Sequence, residues 1–252
     1  MQSRPIAAAA FAGASLMILC ATADAADIKV MASAAIKEAY LELVPQFEKS
    51  TEHKVSTTWA GTVDITKRLN AGEVFDLIIM AGSSIDAFIK QGKLVAGSRV
   101  DLAKSGVGVA VRAGAPKPDI SSADAVKRAM LAAKSIAYST GPSGVYLAAL
   151  FQRMGIADQI KDRVKVGAPG VPIGEIIARG EAEIGFQQVS ELLPVAGIDY
   201  IGPLPPDIQQ ITVFASGIHI GATQADAAKA LVKFLTSPQA APVIKKKGME
   251  PG

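Results

Sequence analysis

Three observations predict an α/β fold built from mostly parallel sheets flanked by helices. Short strand-like segments take turns with segments whose apolar residues recur at helical spacing. One segment, Asp76 to Met80 (DLIIM), is apolar almost throughout, as in a central parallel strand covered on both faces. Three successive strand segments run into loops rich in Ser, Thr, Gly and Ala. Ligands of open α/β sheets bind outside the carboxyl ends of strands, so these loops are expected to share one face.

Ile28, Val30 and Ala32 alternate in the first strand, and Ile36, Tyr40, Val44 and Phe47 then fall on one helical face. Val55, Thr57 and Trp59 alternate again, and Gly61-Thr62 opens a helix carrying Ile65 and Leu69, with Thr62 as its expected N-cap. After DLIIM, the loop Ala81 to Ser84 precedes a helix with Ile85, Phe88 and Ile89. Val107 to Arg112 reads as a strand, Gly114 to Pro118 as a turn, and Ser135 to Ser139 as a short strand. Thr140 to Gly144 (TGPSG) then opens a helix with Val145, Leu147, Leu150, Phe151 and Met154, and a Gly-rich turn there leaves backbone N–H groups free for an anion. Pro172 sits in the first turn of a helix with Ile173, Ile176 and Ile177, stopped by Gly180. Ala182 to Gln188 forms a strand delivering Gln187 and Gln188 to its carboxyl end. Gly202 to Pro206 is a proline-rich connection, Ile211 to Ile220 a strand, and Ala225–Leu235 and Pro238–Lys247 the closing helices.

Met1 to Ala25 reads as a secretory signal, with Arg4, an apolar stretch from Pro5 to Leu19 and an Ala23-Asp24-Ala25 cleavage pattern. The apolar run falls short of the roughly 20 residues of a bilayer span, so no stable membrane insertion is expected. Cleavage after Ala25 removes Cys20, the one cysteine, and the mature chain then has no disulfide, thiolate nucleophile or cysteine metal ligand. Two histidines, His53 and His219, offer no convincing metal site; His53 reads as a surface residue and His219 as a core or hinge residue. The net charge of +3 favours a small anionic ligand, and no basic run is strong enough for nucleic acid. Lys245 to Lys247, the densest basic cluster, reads as a solvated helix end. There is no nucleotide-binding loop and no Gly-x-Ser-x-Gly elbow.

Four blocks, ADIKVMASAAIKEAY, WAGTVDITKRLNAGEVFDLIIMAGSSIDAFIKQGKL, STGPSGVYLAALFQRMGI and FLTSPQAAPVIKKKGMEP, resemble successive blocks of the periplasmic molybdate-binding protein family, in that family's order. The resemblance implies a two-lobed class II periplasmic binding protein fold, monomeric, closing on its ligand like a hinged trap. It places lobe one at residues 26–105 plus 217–252 and lobe two at 106–216, with hinge crossovers near Gly106 to Arg112 and Thr212 to Gly217. Transport in this family implies a membrane ABC permease as partner. Carried over residue by residue, the family's first serine matches Ala35, with Ser33 two positions earlier, and its second falls at Gly61 or Thr62. A backbone donor matches Ser143, another falls at about Val171, and the family's pocket tyrosine matches Gln188. Losing a hydrogen bond to a charged ligand costs about 1.5 to 3 kcal/mol. A pocket without the first serine and the tyrosine is roomier, and it suits a di- or tricarboxylate better than molybdate.

A small group of proteins resembling this family are exported aconitate isomerases, which convert trans- to cis-aconitate by an allylic proton shift. That chemistry needs no metal or redox cofactor, but it needs donors for three carboxylates and one or two groups that exchange a proton. Lys37, Lys67 and Arg68 are candidate carboxylate clamps, and Ser84 and Tyr146 join Ser33, Thr62, Ser143 and Gln188 as candidate ligand contacts. Each also has a plain reading: the cations as a solvated helix face, the hydroxyls as helix caps, and Tyr146 as packing against the sheet. Transport and isomerisation both remain open, and no catalytic base is assigned.

Overall fold

The computed structural model describes residues 25–168 and 170–252. The expected signal segment, apart from Ala25, lies outside the described residues, as does the cleavage pattern up to Asp24. In chain order the elements are β1 (Asp27–Ser33), a 3-10 turn Ala34–Ile36, α1 (Lys37–Thr51), β2 (Lys54–Ala60), α2 (Thr62–Asn70), β3 (Leu77–Ala81) and α3 (Gly82–Lys90). They continue with β4 (Val100–Arg112), α4 (Ala123–Ala132), β5 (Ile136–Tyr138), α5 (Pro142–Arg153), α6 (Ala157–Ile160), β6 (Val164–Val166) and α7 (Ile173–Ala178). The chain ends with β7 (Ile184–Gln188), α8 (Val189–Leu192), β8 (Ile198–Pro203), β9 (Ile211–Ile218), α9 (Ala225–Leu235), α10 (Ala241–Lys246) and β10 (Glu250–Pro251).

The strands run in the order β2-β1-β3-β9-β4-β7-β5-β6, with β8 and β10 also paired to β4. Strands linked through helices pair in parallel, β1 with β2 and β3, and β5 with β6 and β7. β4 and β9 run against them. β4 joins two half-sheets: Val100 to Gly106 pair with β9, while Val107 to Arg112 pair with β7 and β8. Both expected crossover segments are thus continuous strand, and a change of angle between the half-sheets bends or twists β4 and β9 rather than a loop.

Each half-sheet has apolar layers on both faces, as strand alternation requires. In the first, Ile28, Val30, Ala32, Leu77 and Ile79 pack with Tyr40, Leu43 and Phe47 of α1 and Leu231 of α9, while Met31, Ile78 and Met80 face Ile65, Leu69, Ile85 and Phe88. In the second, Val107, Val109, Ile136 and Phe186 meet Val126, Met130, Leu147 and Phe151, and on the other face Ala110 and Ala137 meet Ile173 and Ile177 of α7. β7 lets α7 approach because Gly185 lies under Ile173 and Ile177, where a Cβ would collide with both side chains.

Local departures from the sequence reading have local causes. Gly61, not Thr62, is the N-cap of α2, and Thr62 is already helical. The expected loop before α3 is absent, because Gly82 to Ser84 form its first turn directly after Ala81. The reading missed α4, α6, α8, β6, β8 and β10; β8 includes Gly202 and Pro203 of the proline-rich connection, held beside β4. Pro203 is tolerated as the last residue of that strand, where no further ladder donor is needed. His53 is buried rather than a surface residue, its Nδ1 accepting the Ala26 N–H at 3.1 Å. His219 is buried as expected, accepts the Gly221 N–H on Nδ1 at 3.0 Å, and is held below its ordinary pKa by burial and by nearby Lys93. Lys246 and Lys247 are not simply solvated: they pair with Glu42 of α1 at 3.7 and 3.1 Å.

Candidate functional site

Between the half-sheets lies a cavity of about 560 Å3. The carboxyl ends of β1, β2, β5 and β7 reach it through Ser33, Ala60, Ser139 and Gln188. It gathers Ser33, Ala35, Lys37, Gly61, Thr62, Ser143, Val171 and Gln188 from the two half-sheets, which is eight of the twelve residues the sequence singled out.

Two helix starts face this space without side-chain caps. Gly61 precedes α2 and Gly141 precedes α5, and neither can offer a capping oxygen. The first intrahelical donors are the Ile65 N–H, which reaches the Gly61 carbonyl at 3.0 Å, and the Val145 N–H, which reaches the Gly141 carbonyl at 3.0 Å. The amides before them carry the partial positive charge of the helix end and are disposed toward an anion. Thr62 adds a side chain: its Oγ1 is buried without a hydrogen-bond partner among the described residues, a costly state that a ligand acceptor would relieve. Ser143, 1% exposed, shares a 3.4 Å contact between hydroxyls with Ser139, which also accepts the Gly141 N–H at 3.2 Å.

Other predicted contacts are already engaged. The Ser33 hydroxyl accepts the Ala35 N–H at 3.4 Å. The Val171 N–H donates to the Ala168 carbonyl at 3.1 Å, so this main-chain donor closes a turn. Gln188 is 1% exposed, and its surroundings orient the amide so that nitrogen donates to the carbonyls of Ser105 (3.0 Å) and Gly106 (3.2 Å) while oxygen accepts from the Thr212 hydroxyl (3.0 Å). Where a pocket tyrosine was expected to be replaced by a ligand donor, Gln188 instead ties β7 to both crossover strands. Lys37 is exposed at the rim with Nζ 6.0 Å from the Trp59 ring centroid.

The remaining four residues lie elsewhere. Lys67, Ser84 and Tyr146 line a second, larger and more open cavity of about 840 Å3, which shares Thr62 and Thr140 to Pro142 with the first. There the Tyr146 hydroxyl donates to the Ile208 carbonyl at 2.7 Å, and Arg99 is held by Asp86 and Asp101. Arg68 lies in neither cavity: it pairs with Glu73 at 2.6 Å and covers the Phe75 ring. The Arg68 fork is filled by a carboxylate five residues along the chain, outside both cavities.

Sequence reasoning missed the cavity's acids and its aromatic wall. Glu38, Glu175 and Glu191 line it beside Trp59, Ser139, Gln187 and Ser190. Glu191 lies in α8, directly after β7, and burial pushes its carboxyl up to about 7 although a hydrogen bond from Gln187 works in the opposite direction. Its position just past the carboxyl end of a strand is the signal the sequence carries for it. Among the described residues no group of three His, Cys, Asp or Glu could hold a metal ion, and no helix is long and apolar enough to cross a membrane.

Comparison with known proteins agrees with this layout. An aconitate isomerase from Pseudomonas sp is 38% identical over 239 residues, covering 92% of this chain and 91% of that protein. The molybdate-binding protein ModA of Azotobacter vinelandii is 29% identical over 240 residues, covering 92% of each chain. The solved structure of the Azotobacter vinelandii periplasmic molybdate-binding protein superposes with a TM-score of 0.76 at 20% identity, covering 89% of this chain and 99% of that one. Residues 28–250 match the family described as bacterial extracellular solute-binding protein, and the chain belongs to that family.

Proposed function

We propose that this protein is an exported isomerase acting on aconitate, which it holds in the cavity between two lobes while the double bond moves by proton transfer. The observation that carries the binding half of this reading is the cavity itself. Two uncapped helix starts and the Thr62 hydroxyl, without a partner among the described residues, meet in about 560 Å3, within the range of roughly 300 to 1,000 Å3 typical of organic ligand pockets. Ala35 at its wall carries no hydroxyl, which favours carboxylates spread over a larger frame than a tetrahedral oxyanion. The chemistry is read from the relative named aconitate isomerase, 38% identical across nearly the whole chain.

In the reaction a base removes a proton from the methylene beside the double bond. The resulting negative charge spreads over the allylic carbons and their carboxylates, and a proton returns at the far carbon, so that the double bond shifts with no net change in atoms. Helix-start amides and the Thr62 and Ser143 hydroxyls stabilise the charge that develops on the carboxylates. No metal or redox group is called for. Lobe one comprises 26–105 plus 217–252 and lobe two 106–216, and the mature monomer begins after Ala25 in the periplasm.

A second reading, delivery of a small anion to an ABC permease, is favoured by the 29% identical molybdate-binding relative. The two separate in a proton NMR time course of purified protein with trans-aconitate in buffered water. Formation of cis-aconitate in proportion to protein supports the isomerase. Binding without conversion supports uptake, and an unaltered spectrum, with molybdate binding by calorimetry, removes the carboxylate reading altogether.

A further inference from the structure

Four charged side chains line the cavity among the described residues: Lys37, Glu38, Glu175 and Glu191. Lys37 is exposed at the rim, and Glu175 pairs with Arg179 at 3.5 Å, so neither is fixed toward the interior. Glu191 differs. Its Oε1 accepts from the Gln187 side-chain amide at 2.9 Å, and that amide cannot turn over, because its oxygen accepts the buried Ile173 N–H at 2.8 Å. One carboxylate oxygen is therefore held, while the other, Oε2, has no hydrogen-bond partner among the described residues.

We propose that Glu191 is the group that exchanges the proton with the bound acid, and that Gln187, which fixes its carboxyl, is a positioning residue. This rests on the isomerase reading. A carboxyl paired only with a neutral amide is expensive to keep in a protein wall, and a residue serving structure alone would be cheaper as glutamine or leucine. With burial raising its pKa to about 7, both protonation states are populated near neutrality, which a group that takes and returns a proton needs. Among the described residues, the charged groups on the elements around α8 leave this carboxyl without an ion pair. Glu175 of α7 pairs with Arg179, Asp101, Lys104 and Arg112 of β4 do not line the cavity, and the 3-10 turn Ala34–Ile36 that packs on α8 is uncharged, with Lys37 and Glu38 following it at the start of α1.

The test compares wild type, Glu191→Gln and Glu191→Asp with trans-aconitate in deuterated buffer, reading cis-aconitate formation, deuterium uptake into the ligand methylene, and affinity by calorimetry. Glu191→Gln is expected to keep affinity within about threefold while turnover and deuterium uptake fall by roughly 10²-fold or more. Glu191→Asp, which draws the carboxyl back by one methylene, should fold even where the glutamine variant does not, and should lose at least about tenfold in turnover with little change in affinity. Gln187→Leu is expected to move the pH midpoint of turnover, which loss of packing alone would leave in place. Wild-type turnover retained in folded Glu191→Gln, or in Glu191→Asp, overturns the assignment and leaves the isomerase reading standing. A wild type that neither converts trans-aconitate nor exchanges its methylene protons overturns both.

Discussion

Thr62 sits at the first position of α2 with a buried hydroxyl that has no partner among the described residues, and Ser143 sits one residue into α5 across the cavity. Replacing both by alanine should weaken trans-aconitate binding roughly ten- to hundredfold for each hydroxyl that reaches a carboxylate, with thermal stability unchanged or slightly raised, because Thr62 loses an unsatisfied polar atom. Unaltered affinity in calorimetry would move the site elsewhere. Glu191 makes a separate prediction about stability. Its folded-state pKa of about 7 lies above the ordinary carboxyl value of 4.5, so the fold prefers the protonated form. Its contribution is complete below about pH 4.5 and is lost as pH rises through 7. Urea unfolding of Glu191→Gln against wild type should show the variant gaining stability relative to wild type between pH 5 and pH 8, a trend of the opposite sign being inconsistent with a raised pKa.

At the scale of elements, one carboxylate fastens three pieces of the first half-sheet. Asp76, just before β3, accepts the Lys29 N–H of β1 at 2.8 Å and the N–H groups of Thr223 and Gln224 at 2.8 Å each, ahead of α9. Burial pushes its pKa up, but these donors outweigh burial and hold it below the ordinary value. Stability from this group is present above the unfolded pKa and lost as pH falls through the depressed folded value. Asp76→Ala should cost about 3 kcal/mol at neutral pH by chemical denaturation, with a smaller difference in acid. In the second half-sheet, Gly144 in the first turn of α5 lies against the Ser139 carbonyl, so that a Cβ would overlap it. Gly144→Ala should displace the β5-to-α5 turn that carries Ser139 and Ser143, lowering both stability and anion affinity. Retention of both would mean that the turn tolerates the shift.

For the whole molecule, a ligand held between half-sheets joined by β4 and β9 adds contacts that neither half makes alone. Saturating trans-aconitate at about 100 times its Kd should stabilise the fold by about 2.7 kcal/mol, a rise in Tm of roughly 5 to 11 °C for a domain of this size. A thermal scan with no shift would argue against binding to the folded state. Succinate, lacking a third carboxylate, should shift Tm less at equal concentration.

Periodicity alone placed most strands and long helices, because each buries one or both faces and its apolar spacing records that burial: Ile28, Val30 and Ala32, or Leu77 to Met80, could hardly be read otherwise. The short elements β6, β8 and α8 were illegible, since three to six residues of mixed polarity take their conformation from the strand or cavity beside them. The same division runs through the site. Loops at strand ends and the Gly-rich turn before α5 were marked by composition, while Thr62 and Ser143 were named through the family resemblance, and the fold brings both to one cavity. The positions of Lys67, Ser84 and Tyr146 beside a different cavity, and the engagement of Gln188 with Ser105, Gly106 and Thr212, arise between segments far apart in sequence. Local pattern determines which surfaces a segment must bury. Only the tertiary fold decides which polar groups then meet, and whether a carboxyl such as Glu191 faces water, a cation or the wall of a cavity.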